Sequence, residues 1–459
     1  MQTNEIASAW RRRIGPGAIL LLAAAAGLLL VLLFVLGVWI AGRRGLNEQL
    51  AQIRAADEPT SATELEAFYT APESGRDTTQ LWLDAIAPLD TPQFQADAKD
   101  LPFVGAGPDQ IPRPGQAWPQ LEAAEELLTR HRRSLELMHE ASRQGGQARF
   151  PTRFTEGLAM LLPHVQQLRG GARLLALESA VEAHRGRVDA AIDAVAAIFA
   201  AARSLEQEPV LISQLVRMAL DGMARDRTEW LLSAVALDDA QLARLDAELA
   251  ACDYRNSLRR ALIGERVMGI EAFANPAALG DEQFGKLSLI STSRDETMYL
   301  QLMGELIAAS GRSGTAAQAA ATSVENQLKQ LGASAVSKLS NPMTLLLMPA
   351  IGACLDAARR NEAGRDATRV ALALQRFQLV HGRLPKMLDE LTPKFLSQLP
   401  LDPYGGAPLR YRLDAQEYTV YSIGKDGIDQ GGRSEPAGQA DDVAVRVRRV
   451  DTPGTGAVR

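Results

Sequence analysis

Histidine and cysteine are scarce in this chain: five His and two Cys in 459 residues. Two thiols alone cannot make a tetrahedral zinc site. Cys252 and Cys354 read as buried thiols that pack as small hydrophobes, with one disulfide between them as the alternative. His131, His139, His164, His184 and His381 include no pair at i, i+4, so no helix offers two imidazoles to one metal. The sequence has no G-x-S-x-G elbow, no G-x-x-x-x-G-K-[ST] phosphate loop and no H-E-x-x-H. It therefore points to no enzyme class. The glycine pairs 145–146 and 170–171 follow no strand and read as turns between helices. Aromatics are only 5% of the chain, while Ala and Leu are abundant. That balance favours packed helices over a β-sandwich. Net charge is −6 with no long basic run, which excludes the basic stripe that nucleic-acid binding needs.

What the chain does have is a long apolar run. Gly17–Ala41 contains no charged residue. As a helix it is roughly 37 Å long, enough to cross a hydrocarbon core of about 30 Å with tilt. It exceeds the 7–15 residues of a signal-peptide core and ends in Trp39 and then Arg43-Arg44, so it reads as an uncleaved signal anchor. With so few residues ahead of it, residues 1–16 are expected on the cytoplasmic side and the bulk of the chain across the membrane. The Ala- and Arg-rich composition looks bacterial, which makes that membrane the inner one and that side periplasmic.

Residues 42–119 follow as a juxtamembrane helix and a Pro-rich segment. Eight prolines between Pro72 and Pro119 allow only short helices, at Ala62–Tyr69 and Thr79–Ile86, within an extended wrap or tether. Residues 120–307 are helical text. The clearest unit is Gly171–Leu205, a hairpin turning at Gly186, with Val188, Ile192, Val195, Phe199 and Ala202 on one face. It is similar to a single tetratricopeptide-type hairpin, without a second copy at the 34-residue period. "DDAQ" at Asp238 is a capping box. Glu265, among Leu258, Leu262 and Met268, is expected to pair with Arg259 or Arg266. Residues 308–340, rich in Ala, Ser, Gly and Gln, read as a linker or mobile helix. A core helix then starts near Met343 and continues towards Val380.

The last third changes period. Leu409, Tyr411 and Leu413 alternate, and "EYTVYSI" alternates again after Asp414–Gln416, giving a hairpin. The loop "GKDGIDQGG" and a third strand in "DDVAVRVRRV" follow. The order helix, "HGRLP", "LDPYGGAPLRYR", "YTVYSIGKDG" and a Gly-rich acidic loop, over about residues 366–447, resembles the C-terminal domain of the type II secretion major pseudopilin. The resemblance implies a small antiparallel sheet on a helix and a calcium ion in the loop. Carried over by position, it implies Asp426, Asp441 and Asp442 as ligands, with Asp429 and the Ile423 carbonyl as additions. The same residues also suit an ordinary Asp/Gly turn. The apolar run lacks the acidic residue and leader of a pseudopilin, so the chain is not expected to be a filament subunit. The whole chain also resembles uncharacterised bacterial membrane-anchored proteins.

The expected fold is thus mainly α: an N-terminal transmembrane helix (17–41), an irregular helical domain containing the TPR-like hairpin (120–307), and a small C-terminal α+β module (341–447) with an antiparallel sheet. A tail, 448–459, closes the chain. The expected role is a non-catalytic membrane-anchored scaffold or partner-binding protein beside an envelope secretion or pilus-like assembly, with no nucleic-acid partner. An envelope hydrolase using Glu265, His164 or His184 is the alternative.

Overall fold

The structure, a computed structural model, describes residues 16–73, 75–108, 110–275, 293–312, 314–433 and 442–449. It is mainly helical, with one small three-stranded sheet.

Helix α1, Pro16–Ala55, is continuous over 40 residues. It contains the expected Gly17–Ala41 helix and runs past it. Its C-terminal part joins the body through Leu46, Leu50 and Ile53. Among the described residues, no helix is long and apolar enough to cross a membrane.

The Pro-rich segment forms α2 (Ala62–Phe68), α3 (Thr79–Ile86) and α4 (Pro92–Ala98). Ser61 and Thr91 cap α2 and α4 through their hydroxyls, and Pro92 takes the first-turn position where its missing N–H costs nothing. This segment is a wall of the body. Trp82, Ile86, Leu89, Phe94, Leu101 and Trp118 are all buried in the main apolar cluster.

Helices α5 (Leu121–Arg130), α6 (Arg132–Arg143), α7 (Pro163–His184) and α8 (Val188–Ser204) follow. The α7–α8 hairpin turns at Gly186, whose φ of 75° is a left-handed conformation natural to glycine. The pair Gly170-Gly171 is not a turn; it lies inside α7. A Cβ on Gly171 would stand 3.0 Å from the Met138 Sδ, so this glycine serves close packing of α7 on α6. Gly145 and Gly146, both at positive φ, do form a turn.

Helices α9 (Leu211–Ala234), α10 (Asp239–Ala250) and α11 (Arg255–Ala274) complete this layer. The expected capping box at Asp238 and Gln241 is present. Residues 293–340 contain α12 (Ser293–Ser310), α13 (Gly314–Ala333) and α14 (Ala335–Ser340). The segment expected as a linker or mobile helix is thus helical, as α13 and α14, and α13 packs on its neighbours with Ala321 and Val324 buried. Alanine's helix propensity outweighs the scattered Ser and Gly there.

Helix α15, Pro342–His381, is the spine of the fold and ends at Gly382 in a left-handed cap. Its first half packs among the helices. Its second half carries the sheet: the Tyr418 hydroxyl donates to the Ala371 carbonyl at 3.2 Å and accepts from Gln375 at 3.1 Å. Strands β1 (Arg410–Leu413), β2 (Glu417–Ser422) and β3 (Val443–Arg448) pair antiparallel in the order β1-β2-β3. The outer edge of β3 docks on α9, where Glu229 and Ser233 accept the N–H groups of Arg446 and Arg448, each at 3.2 Å. One apolar cluster runs from Ile53 through the helices to Val445 and Val447.

Candidate functional site

The C-terminal loop begins where β2 meets the turn Asp402–Gly406. Asp402 is fully buried. Its carboxylate accepts from the Ser422 hydroxyl at 2.8 Å, the Ile423 N–H at 2.9 Å and the Tyr404 N–H at 2.9 Å. It thereby ties the "DPYGG" turn to the end of β2. Sequence reading missed this residue. The available signal was an Asp directly before Pro, a turn-opening pair whose carboxylate folds back on following N–H groups.

Past Ile423 the loop holds itself. Asp426 accepts from the Ile428 N–H at 2.9 Å and from the Gln430 side chain at 2.7 Å. Asp429 accepts from the Gly431 N–H at 3.0 Å and the Tyr421 hydroxyl at 3.1 Å, and pairs with Arg410 at 2.7 Å. Slight burial opposes ionisation of Asp429, but the Gly431 N–H, the Tyr421 hydroxyl and Arg410 together hold its carboxyl below the usual range. Asp442, which opens β3, accepts from the N–H groups of Gly432 at 2.7 Å and Gln430 at 3.2 Å. Burial pushes Asp442 up against those donors, and Asp429 and Asp426 add like-charge repulsion. Its Oδ1 is buried and has no hydrogen-bond partner among the described residues.

The structure thus brings Ile423, Asp426, Asp429 and Asp442 to one loop, while Asp441 lies outside the described residues. Calcium takes six to eight oxygens. Asp426 and Asp429 already serve protein donors, and Asp442 Oδ1 is the oxygen left over. Among the described residues, no group of three or more His, Cys, Asp or Glu is arranged to hold a metal ion.

A polar cleft of about 780 Å³ lies between the helical body and the 395–406 segment. Three arginines line it, and each is matched: Arg369 with Asp246 at 2.7 Å, Arg365 with Asp366 at 2.8 Å, and Arg255 with Glu362. With the charges paired, the cleft reads as a polar seam between the two parts.

The residues of the hydrolase alternative do not converge. His164 and His184 stand at opposite ends of α7, about 30 Å apart. His164 bonds Glu208 at 3.0 Å in the interior, stacked on Phe150 with ring centroids 4.5 Å apart, and Thr152 also reaches Glu208. His184 bonds the Pro112 carbonyl at 2.6 Å, holding the Pro-rich wall to α7. Glu265 does not pair with Arg259 or Arg266; both of those meet Glu58. Glu265 instead accepts the Leu211 N–H at 3.1 Å, capping the N-terminus of α9 from a neighbouring helix. Burial raises its pKa, opposed by that N–H. Cys252 and Cys354 are buried thiols that form no disulfide with each other, and burial pushes the Cys354 thiol up to about 11.

Comparison with protein-family models, with curated proteins and with solved structures returns no match.

Proposed function

We propose that this chain is a single-pass membrane-anchored scaffold or partner-binding protein. Its body stands on the extracytoplasmic face of a bacterial inner membrane, beside an envelope secretion or pilus-like assembly. The observation that carries the anchor is on α1. Leu20, Leu21 and Leu22 are 72%, 74% and 61% exposed. Successive helical positions point about 100° apart, so three in a row cover every side of the helix. Leu28, Leu29 and Leu30 repeat the pattern. A helix that is apolar all round requires an apolar solvent. Among the described residues no helix is long and apolar enough to cross a membrane, whereas the full run Gly17–Ala41, read from the sequence, is uncharged throughout. The pseudopilin-like sheet and the TPR-like hairpin support a binding role by analogy of fold only.

The test is fractionation of cells expressing the full chain and a variant carrying Leu29→Arg and Leu33→Arg. The native chain is expected to stay with membranes in alkaline carbonate, with its body cut by protease added to spheroplasts. The charged pair, at a cost of roughly 5–7 kcal/mol for two arginines near mid-bilayer on the insertion scale, is expected to move the protein out of the carbonate-resistant fraction. Native protein washing off with carbonate sinks the reading.

The orphaned Asp442 Oδ1 favours a second element of the proposal. A calcium ion would use it together with Asp426, Asp429 and the Ile423 carbonyl. At these carboxylates the ion competes with Gln430 for Asp426 and with Arg410 for Asp429. Millimolar calcium is then expected to raise the unfolding temperature of the full chain, and Asp442→Asn to abolish the shift. An unchanged melt with and without chelator makes the loop a turn closed by its own hydrogen bonds.

A further inference from the structure

Helix α14 contributes no buried side chain to the fold. Yet Val336 is 76% and Leu339 60% exposed, three residues apart on one helical face. Leu346, near the start of α15, adds a third exposed apolar side chain at 41%. Nothing in the body requires these residues to be apolar.

Their height relative to α1 supplies a reason. At Gly42, one residue past the uncharged run, the Cβ position lies 3.7 Å from the backbone of Arg294 and the side chain of Ser293. At Gly45 it lies 3.7 Å from Thr297. Both numbers rise together, so α12 starts at the level where the anchor ends and climbs alongside α1, away from the apolar run. The chain leaves the top of α12 at Ser310 and is back at the level of Asp295 by Met343, so α13 between them runs back down, and Gln327 meets Glu305 on the way at 2.9 Å. Glu305 is about 18 Å above Ser293, and the chain from Gln327 to Ala335 descends about 12 Å. Helix α14 therefore sits within about 6 Å of the level of Ser293. The other end of α14 is tied to the same level, because Asp295 accepts the N–H groups of Met343 at 3.0 Å and Thr344 at 3.1 Å.

We infer that α14 and the first turns of α15 form a foot that rests in the lipid interface beside the anchor, with Val336, Leu339 and Leu346 in the acyl boundary. This rests on the membrane-anchor reading above. Lys338, on the same short helix, suits a headgroup contact, its ammonium reaching phosphate while its stem lies along the apolar surface. Two contacts with one bilayer, the anchor and the foot, fix the tilt of the body as a single helix cannot.

The experiment places a nitroxide at Leu339→Cys, Leu30→Cys or Met387→Cys in the full chain, reconstituted in phosphatidylethanolamine–phosphatidylglycerol nanodiscs. Cys252 and Cys354 are buried, which limits background labelling. Relaxation by dissolved oxygen reports lipid, and relaxation by a water-soluble nickel chelate reports water. Met387 is 61% exposed and lies past the far end of α15, about 60 Å from its start, so it is the aqueous control. Position 30 is expected to be oxygen-dominated, position 339 oxygen-favouring at shallower depth, and position 387 nickel-dominated. Nickel access at 339 equal to that at 387, with 30 still in lipid, overturns the foot and leaves the anchor standing. Nickel access at 30 as well removes the anchor and the foot together. Dipolar broadening between copies at 339, in place of lipid contact, assigns the patch to a second copy and overturns the inference.

Discussion

An Asp402→Ala chain is expected to lose about 3 kcal/mol of stability, because three donors that the carboxylate satisfies are left without it. Those donors are the Ser422 hydroxyl and the N–H groups of Ile423 and Tyr404. The Tyr404 and Ile423 amides belong to a turn and a strand end, and Asp402 is the acceptor each of them uses. The turn also closes on itself through Asp402 backbone bonds to Ala407 and Gly406, which alanine keeps. The loss should therefore fall on the link between turn and β2, not on the turn. Asp402→Asn keeps the shape but sets an NH2 group against a donor, so it should recover only part of the loss. Urea unfolding of the full chain measures the size, and hydrogen exchange locates it: the Ile423 and Tyr404 amides should exchange faster, while those of α7 and α8 stay protected. A loss under 1 kcal/mol would mean the buried carboxylate holds nothing together.

Much of the architecture was legible because helices announce themselves locally. The four- and three-residue steps from Val188 to Ala202 define α8, and the Asp238–Gln241 box marks the start of α10. The alternation around Tyr418 and Val420 gave the hairpin, and both residues are fully buried on the sheet. What was not legible depends on contacts between distant positions. Gly170-Gly171 looks like a turn until α6 is known to press on α7 at Met138. Glu265 has Arg259 six residues before it and Arg266 directly after it, yet its partner is the N-terminus of α9, 54 positions back. The candidate loop divides the same way. Its acidic residues were visible as a cluster, but no local pattern says that Arg410, on another strand, neutralises Asp429. Asp402, which anchors the loop to the turn, gave only the weak signal of an Asp–Pro pair.

Asp295→Ala is the other change expected to cost heavily, again about 3 kcal/mol. Asp295 is fully buried at the start of α12, and its carboxylate accepts the N–H groups of Met343 and Thr344 and the Thr344 hydroxyl at 2.6 Å. These amides are among the first-turn donors of α15, which no helix can satisfy for itself. A carboxylate there also meets the positive end of the helix dipole, worth up to about 2 kcal/mol when partly buried. No residue of α15 supplies this cap, since Asn341 makes no side-chain cap bond. The cap comes from a helix that touches α1 at Gly42. One carboxylate therefore connects α12, which packs on α1, to the spine that carries the C-terminal sheet. Removing it should free the first turns of α15 and with them α14, so amides 343–346 are expected to exchange many-fold faster while the sheet amides of β2 change little. Asp295→Asn, which still accepts at one oxygen, should fall between the two. If the alanine variant melts with native cooperativity and unchanged exchange at 343–346, the spine does not depend on its borrowed cap, and the coupling of α1 to the spine lies in apolar contacts such as those of Leu46, Leu50 and Ile53.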